Sequence, residues 1–142
     1  MTIRKLLIAA IVAGAAVMTA PAVRAHGDVT PQLVDISGLE PLGPEWRTEN
    51  PYKGDKRVLE VGSSGYGQNC ARCHGLQVIS GGIAPDLRYL EKGKVGDEWF
   101  MTRIRHGAKK SDGTSIMPAF DGLLQQEAMW AIRTYVQSLH QD

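Results

Sequence analysis

Two cysteines three residues apart, with a histidine directly after the second, stand at Cys70, Cys73 and His74. This is the spacing by which haem of the c type is attached to a chain. On a helical turn the two sulfurs share a face and reach the haem vinyls, while the following imidazole faces the iron. Three other chemistries use paired cysteines. A thioredoxin-like redox pair needs a strand–helix–strand context, and no alternating strand pattern precedes Cys70. A structural zinc site draws on two separated pairs, whereas Cys70 and Cys73 are the only cysteines in the sequence. A disulfide between them would close a very small loop, which stabilises little in the chain-entropy picture. One covalently held haem is the reading these comparisons favour.

A six-coordinate haem needs a second protein ligand, and Met101, Met117 and Met129 are the methionines available beyond the N-terminal segment. Met101 and Met129 fall within expected helices, where methionine commonly fills a core. Met117 lies in a non-helical segment braced by Pro118, far enough past His74 for the chain to pass round the porphyrin and return from the other side. Paired as axial ligands, His74 and Met117 favour the reduced iron and leave no position open for oxygen or peroxide. That arrangement suits a one-electron carrier. A backbone carbonyl near Pro85 is expected to accept from the other His74 nitrogen and so fix its tautomer. Arg88 and Trp99 are candidates for holding the haem propionates.

The elements that must position these residues begin after an export signal. Arg4 and Lys5 form a positive start, Leu6 to Val17 an apolar run, and Val23-Arg24-Ala25 a small-residue cleavage site. Gly14, Thr19 and Pro21 interrupt the run, which is short for a span of about 20 residues. Cleavage after Ala25 and a periplasmic protein without stable membrane insertion are therefore expected. The remaining length falls within the ~100–150 residues of a single domain. Loss of Arg4, Lys5 and Arg24, with no acid among residues 1–25, turns the formal +1 negative. Such a balance gives no support for nucleic-acid binding, and a monomer is expected.

Residues 26–56 read as an irregular arm, rich in proline and glycine but carrying Leu33, Val34, Ile36, Leu39, Leu42, Trp46 and Tyr52. So many apolar residues favour packing across the domain, with Trp46 as an alternative partner anchor. His26 at the mature terminus invites copper, but only His106 and His140 are spare as further ligands, and the idea is set aside. The domain itself covers 57–142. A first helix from about Lys56 carries Val58, Leu59, Gly62 and Tyr66 towards Cys70, and Gly62 inside it suggests the close approach of another backbone. Gly75 to Gly96 is mostly loop. A second helix is expected from Asp97, acting as its cap, to His106, with Phe100 and Ile104 inward. Ala108 to Thr114 reads as an exposed loop, and a last helix runs from about Gln125 to His140 with Met129, Ile132, Val136 and Leu139 on one stripe.

With these residues in place, the sequence resembles the class I bacterial c-type cytochromes over most of Val58 to Leu139. Gly62 and Tyr66 match the glycine and aromatic of the first helix, and Cys70, Cys73 and His74 the haem attachment. Pro85 and Leu87 resemble the proline loop, Met117-Pro118 the methionine loop, and Trp130 and Tyr135 the aromatic positions of the last helix. The resemblance implies an all-α class I cytochrome c fold, its first and last helices crossing near Gly62 around one covalently bound haem. His26-Gly27-Asp28-Val29-Thr30-Pro31 and Asn50-Pro51-Tyr52 resemble, more narrowly, periplasmic cytochromes that accept electrons from PQQ-dependent ethanol dehydrogenases; cytochrome cL of methanol dehydrogenases is a more distant analogue. This implies a PQQ-dependent alcohol dehydrogenase as donor and a terminal oxidase or another cytochrome as acceptor. Lys109, Lys110 and Ile116 are candidate docking contacts. A carrier serving another dehydrogenase, or a haem sensor with a displaceable sixth ligand, are the competing readings; a peroxidase would call for a second haem motif.

Overall fold

The computed structural model describes residues 30–142. The expected signal segment, His26 and the Gly27–Val29 stretch lie outside the described residues. Four helices follow the arm: α1 (Lys56–Asn69), α2 (Ala71–His74), α3 (Gly93–His106) and α4 (Gln126–Ser138). Single 3₁₀ turns at Leu76–Val78 and Leu87–Tyr89 lie between α2 and α3, and two short strands, β1 (Ala108–Lys109) and β2 (Ser115–Met117), between α3 and α4.

The Asp55 carboxylate starts α1 by accepting from the Val58 amide at 3.0 Å, which satisfies one of the donors a helix leaves free at its N-terminus. The buried residues Val58, Val61, Gly62, Gly65 and Tyr66 form one stripe, and that stripe crosses α4. At Gly62 the crossing is so close that a Cβ would meet the Ala131 carbonyl carbon at 2.7 Å and the Tyr135 Cβ at 2.9 Å. The expectation of a neighbouring backbone at Gly62 is met here, and the neighbour is the last helix. Tyr66 and Tyr135 meet beside it at a tilt of 52°, with ring centroids 5.5 Å apart, and Trp130 and Met129 are fully buried. A core of this kind holds its helices at a fixed separation, because interiors are packed to crystal-like density.

Two expectations need correction. The helix expected from Asp97 begins at Gly93 instead, after Lys92, which offers no side-chain cap. Asp97 is 3 % exposed inside α3, where its carboxylate is committed to Arg133, Gln137 and the Asn50 amide. A good capping residue was thus drawn into a buried ion pair. The loop expected at Ala108 to Thr114 contributes strand β1, which pairs antiparallel with β2 in the register Ala108 with Met117 and Lys109 with Ser115. Its tip is closed by Gly113 at φ +86°, by the Lys110 amide on Thr114 and by the Thr114 amide on Asp112, a turn that suits Asp-Gly chemistry.

The arm packs along the helices. Leu42 is buried, its amide donates to Glu127 at 2.9 Å, and the Gln126 amide group donates to the Gly43 and Glu45 carbonyls at 2.6 and 3.1 Å. The first two side chains of α4 are spent in this way on the arm rather than on capping. Trp46 lies flat under Arg105, whose guanidinium carbon is 3.9 Å from the ring centroid. Leu33 is 84 % exposed and takes no part in this packing.

Candidate haem site

A cavity of about 320 Å³ opens between α1, α2, α3, α4 and the methionine segment. Cys70, Cys73 and His74 line it from the α1–α2 junction, Pro85 and Leu87 from the following loop, and Met117 and Pro118 from the far end of β2. Phe100 and Ile104 of α3 and Ile132 and Val136 of α4 complete much of the apolar wall. None of residues 30–55 lines it, so the arm braces the helices without covering this site.

Short-range chemistry holds each side chain in place. Cys70 caps α1 through its amide on Tyr66 at 2.8 Å and opens α2, whose last residue is His74. The chain leaves α2 through Gly75 at φ +79°, a conformation that costs glycine nothing, and the Tyr66 hydroxyl donates to the Gly75 carbonyl at 2.8 Å. Burial pushes the Tyr66 hydroxyl far above its ordinary range, with Cys70 next in effect, so it remains a donor. The His74 Nδ1 lies 2.9 Å from the Pro85 carbonyl oxygen. A carbonyl can only accept, so Nδ1 carries the proton and Nε2 is left as the free lone pair.

Burial pushes the Cys70 thiol up to about 12, with Cys73 adding to the effect. A redox-active pair needs the opposite, a thiolate stabilised near neutral pH. Met117 is carried by the ladder with Ala108 and by the close approach of its carbonyl to Gly107, where a Cβ would meet the Pro118 carbon and the Ala119 nitrogen at 2.9 Å. Beyond it the Phe120 and Asp121 amides donate to the Ile104 and Arg105 carbonyls at 2.9 and 3.2 Å, which ties the methionine segment to the end of α3. Met101 and Met129 are buried and do not line the cavity.

The two propionate candidates part company. Trp99 lines the cavity mouth, whereas Arg88 does not. The Arg88 guanidinium is held by Asp86 at 2.7 and 3.0 Å and by Gln141 at 3.1 Å, and Arg88 in turn holds the Asp86 carboxyl far below its usual range. Arg103 lines the mouth in its place, with its guanidinium carbon 5.5 Å from the Trp99 ring centroid. Sequence reasoning missed it. The signal was its position four residues after Trp99, one turn along the same helix face.

The donor set fits haem c: an apolar cavity, two thiols on its wall, an imidazole with its free nitrogen defined, and a thioether from another segment. The family described as cytochrome c oxidase, cbb3-type, subunit III matches residues 58–136. A cytochrome c550 of Pseudomonas aeruginosa is 57% identical over 122 residues, 83% of each chain.

The chain belongs to the cytochrome c family.

It is an electron-transfer protein of class I fold, and its cofactor is covalently bound haem c. Two quinohemoprotein alcohol dehydrogenases of Pseudomonas putida are also similar. ADH IIB is 37% identical over 92 residues, 65% of this chain and 13% of the relative, and ADH-IIG is 31% identical over 120 residues, 80% and 16%. The cytochrome thus spans a small part of either dehydrogenase. No solved structure matches at a significant level. No described helix is long and apolar enough to cross a membrane.

Proposed function

We propose that this cytochrome holds its haem through Cys70 and Cys73, with His74 and Met117 as axial ligands, and carries single electrons in the periplasm from a PQQ-dependent alcohol dehydrogenase towards a terminal oxidase or another cytochrome. The reading includes an export signal at 1–25, an arm at 26–56 and a haem domain at 57–142. The observation that carries it is the shared cavity of Cys70, Cys73, His74 and Met117. The similarity of the chain to parts of two quinohemoprotein alcohol dehydrogenases supports the choice of donor.

Haem bound there supplies a one-electron couple in which no bond is made or broken. The residues do the rest. The Pro85 carbonyl draws the Nδ1 proton of His74 and so makes Nε2 a stronger donor. The soft Met117 sulfur favours the reduced iron. Phe100, Ile104, Ile132 and Val136 exclude water from the wall, which keeps the local dielectric low and reduces reorganisation on electron transfer.

Mixed with a purified PQQ-dependent alcohol dehydrogenase and its alcohol, the oxidised protein should be reduced at least tenfold faster than an unrelated class I cytochrome at equal concentration. Stopped-flow absorbance reads this directly. Equal rates for the two proteins would remove the dehydrogenase as donor while leaving the carrier function intact.

A further inference from the structure

One charged pair lies buried behind the cavity wall and is used by nothing described so far. Arg133 is 0 % exposed in the middle of the apolar stripe of α4, beside Ile132 and Val136, both of which line the cavity. A guanidinium stays charged under all ordinary conditions, and removing it from water is costly unless it is paired. Its partner is Asp97 of α3, with Nε donating to Oδ1 at 2.8 Å, while Nη2 donates to the Glu91 carbonyl at 2.6 Å.

The two charges are compensated unequally. Asp97 accepts three times: from Arg133, from Gln137 at 3.1 Å and, on its other oxygen, from the Asn50 amide of the arm at 2.9 Å. Arg133 Nη1 is buried with no hydrogen-bond partner among the described residues. The guanidinium carbon lies 5.7 Å from the centroid of Phe100, and the Phe100 side chain lines the cavity. The positive end of the pair therefore lies against the cavity wall, and the negative end is drawn towards the arm.

We propose that Arg133 and Asp97 form a buried dipole that raises the haem reduction potential, with the arm holding its negative end through Asn50. This rests on haem occupying the cavity as read above. A positive charge fixed near the iron favours the state with the extra electron, and at an effective dielectric of about 20 such a charge is screened far less than one at the surface. Arg133 acts here as a tuning residue and is placed behind the wall, not in contact with the ligand set.

An ion pair that merely joins α3 to α4 predicts something different. Breaking it from either side would then move the potential in the same direction or not at all. The test is redox titration of the full-length holoprotein carrying Arg133→Gln or Asp97→Asn. The potential should fall in Arg133→Gln by on the order of tenfold in the one-electron equilibrium constant, about 59 mV, and rise by a smaller amount in Asp97→Asn, whose charge lies farther from the cavity wall.

Shifts of the same sign, or none, overturn the proposal. If Arg133→Gln does not fold, Asp97→Asn decides on its own sign, and Arg133→Lys, which keeps the charge, should stay near the parent value. The absorbance spectrum separates failure of the dipole from failure of the haem site. Variants with an unchanged covalent-haem spectrum but no split in potential sink the dipole alone, whereas a parent protein without covalent haem sinks both.

Discussion

Serine at both Cys70 and Cys73 should yield a chain that loses its haem completely on denaturation, while the parent keeps haem through boiling and electrophoresis. Haem staining of the denaturing gel reads the difference. The expectation follows from position: both sulfurs line the one cavity, at the junction where α1 hands over to α2. Without the two bonds only the proposed ligands His74 and Met117 would hold the iron, and ligands of that kind release it when the fold is lost. Haem remaining on the serine double variant after denaturation would show that the attachment lies elsewhere.

The second large effect concerns the crossing of α1 and α4, where two glycines of the same helix give opposite expectations. Alanine is better than glycine in a helix interior by about 1 kcal/mol. At Gly67 a Cβ meets nothing within 4 Å, so Gly67→Ala should raise the melting temperature by a few degrees. At Gly62 the same Cβ runs into the backbone of Ala131, which cannot turn aside as a side chain would. Forced overpacking of this kind costs about 1–3 kcal/mol or more, so Gly62→Ala should melt on the order of 10 °C lower despite its better propensity. Thermal unfolding followed by circular dichroism checks both signs at once. A Gly62→Ala protein as stable as Gly67→Ala would mean that the helices do not cross there.

The segments that meet at the cavity could be picked out in the sequence because their information is local. Cys70, Cys73 and His74 fit one helical turn, Pro118 marks the Met117 segment as non-helical, and Gly62 is costly in a helix unless something approaches it. The carbonyl near Pro85 could be anticipated for the same reason. What stayed hidden depends on long-range pairing. Asp97 has the chemistry of a cap, and only the fold reveals that Arg133 competes for it. Arg133 itself sits in an apolar stripe, where periodicity argues for a hydrophobic residue and gives no hint of a buried charge. The polar composition of Ala108 to Thr114 conceals a strand, because a two-residue ladder has too few positions to show alternation. Arg88 and Arg103 differ at the cavity because Asp86, two residues before Arg88, captures the first of them, while Arg103 shares a helix face with Trp99.

The arm teaches a related lesson. Its apolar content pointed to packing, but where it packs is set by Gln126, Glu127 and Asp97, all more than forty positions away. Strapped there, it contributes to the base of α3 and α4 and leaves the cavity mouth to Trp99 and Arg103.

The proposed carrier function requires an iron held between His74 and Met117. The most direct test is the optical spectrum of the parent and of Met117→Ala, each in the ferric state and then reduced under carbon monoxide. The parent should display the weak far-red band of methionine-ligated ferric haem and take up no carbon monoxide on mixing, and Met117→Ala should lose the band and bind the gas at once. A parent protein without the band that binds carbon monoxide immediately would contradict the account and identify an open-site haem protein instead of a carrier.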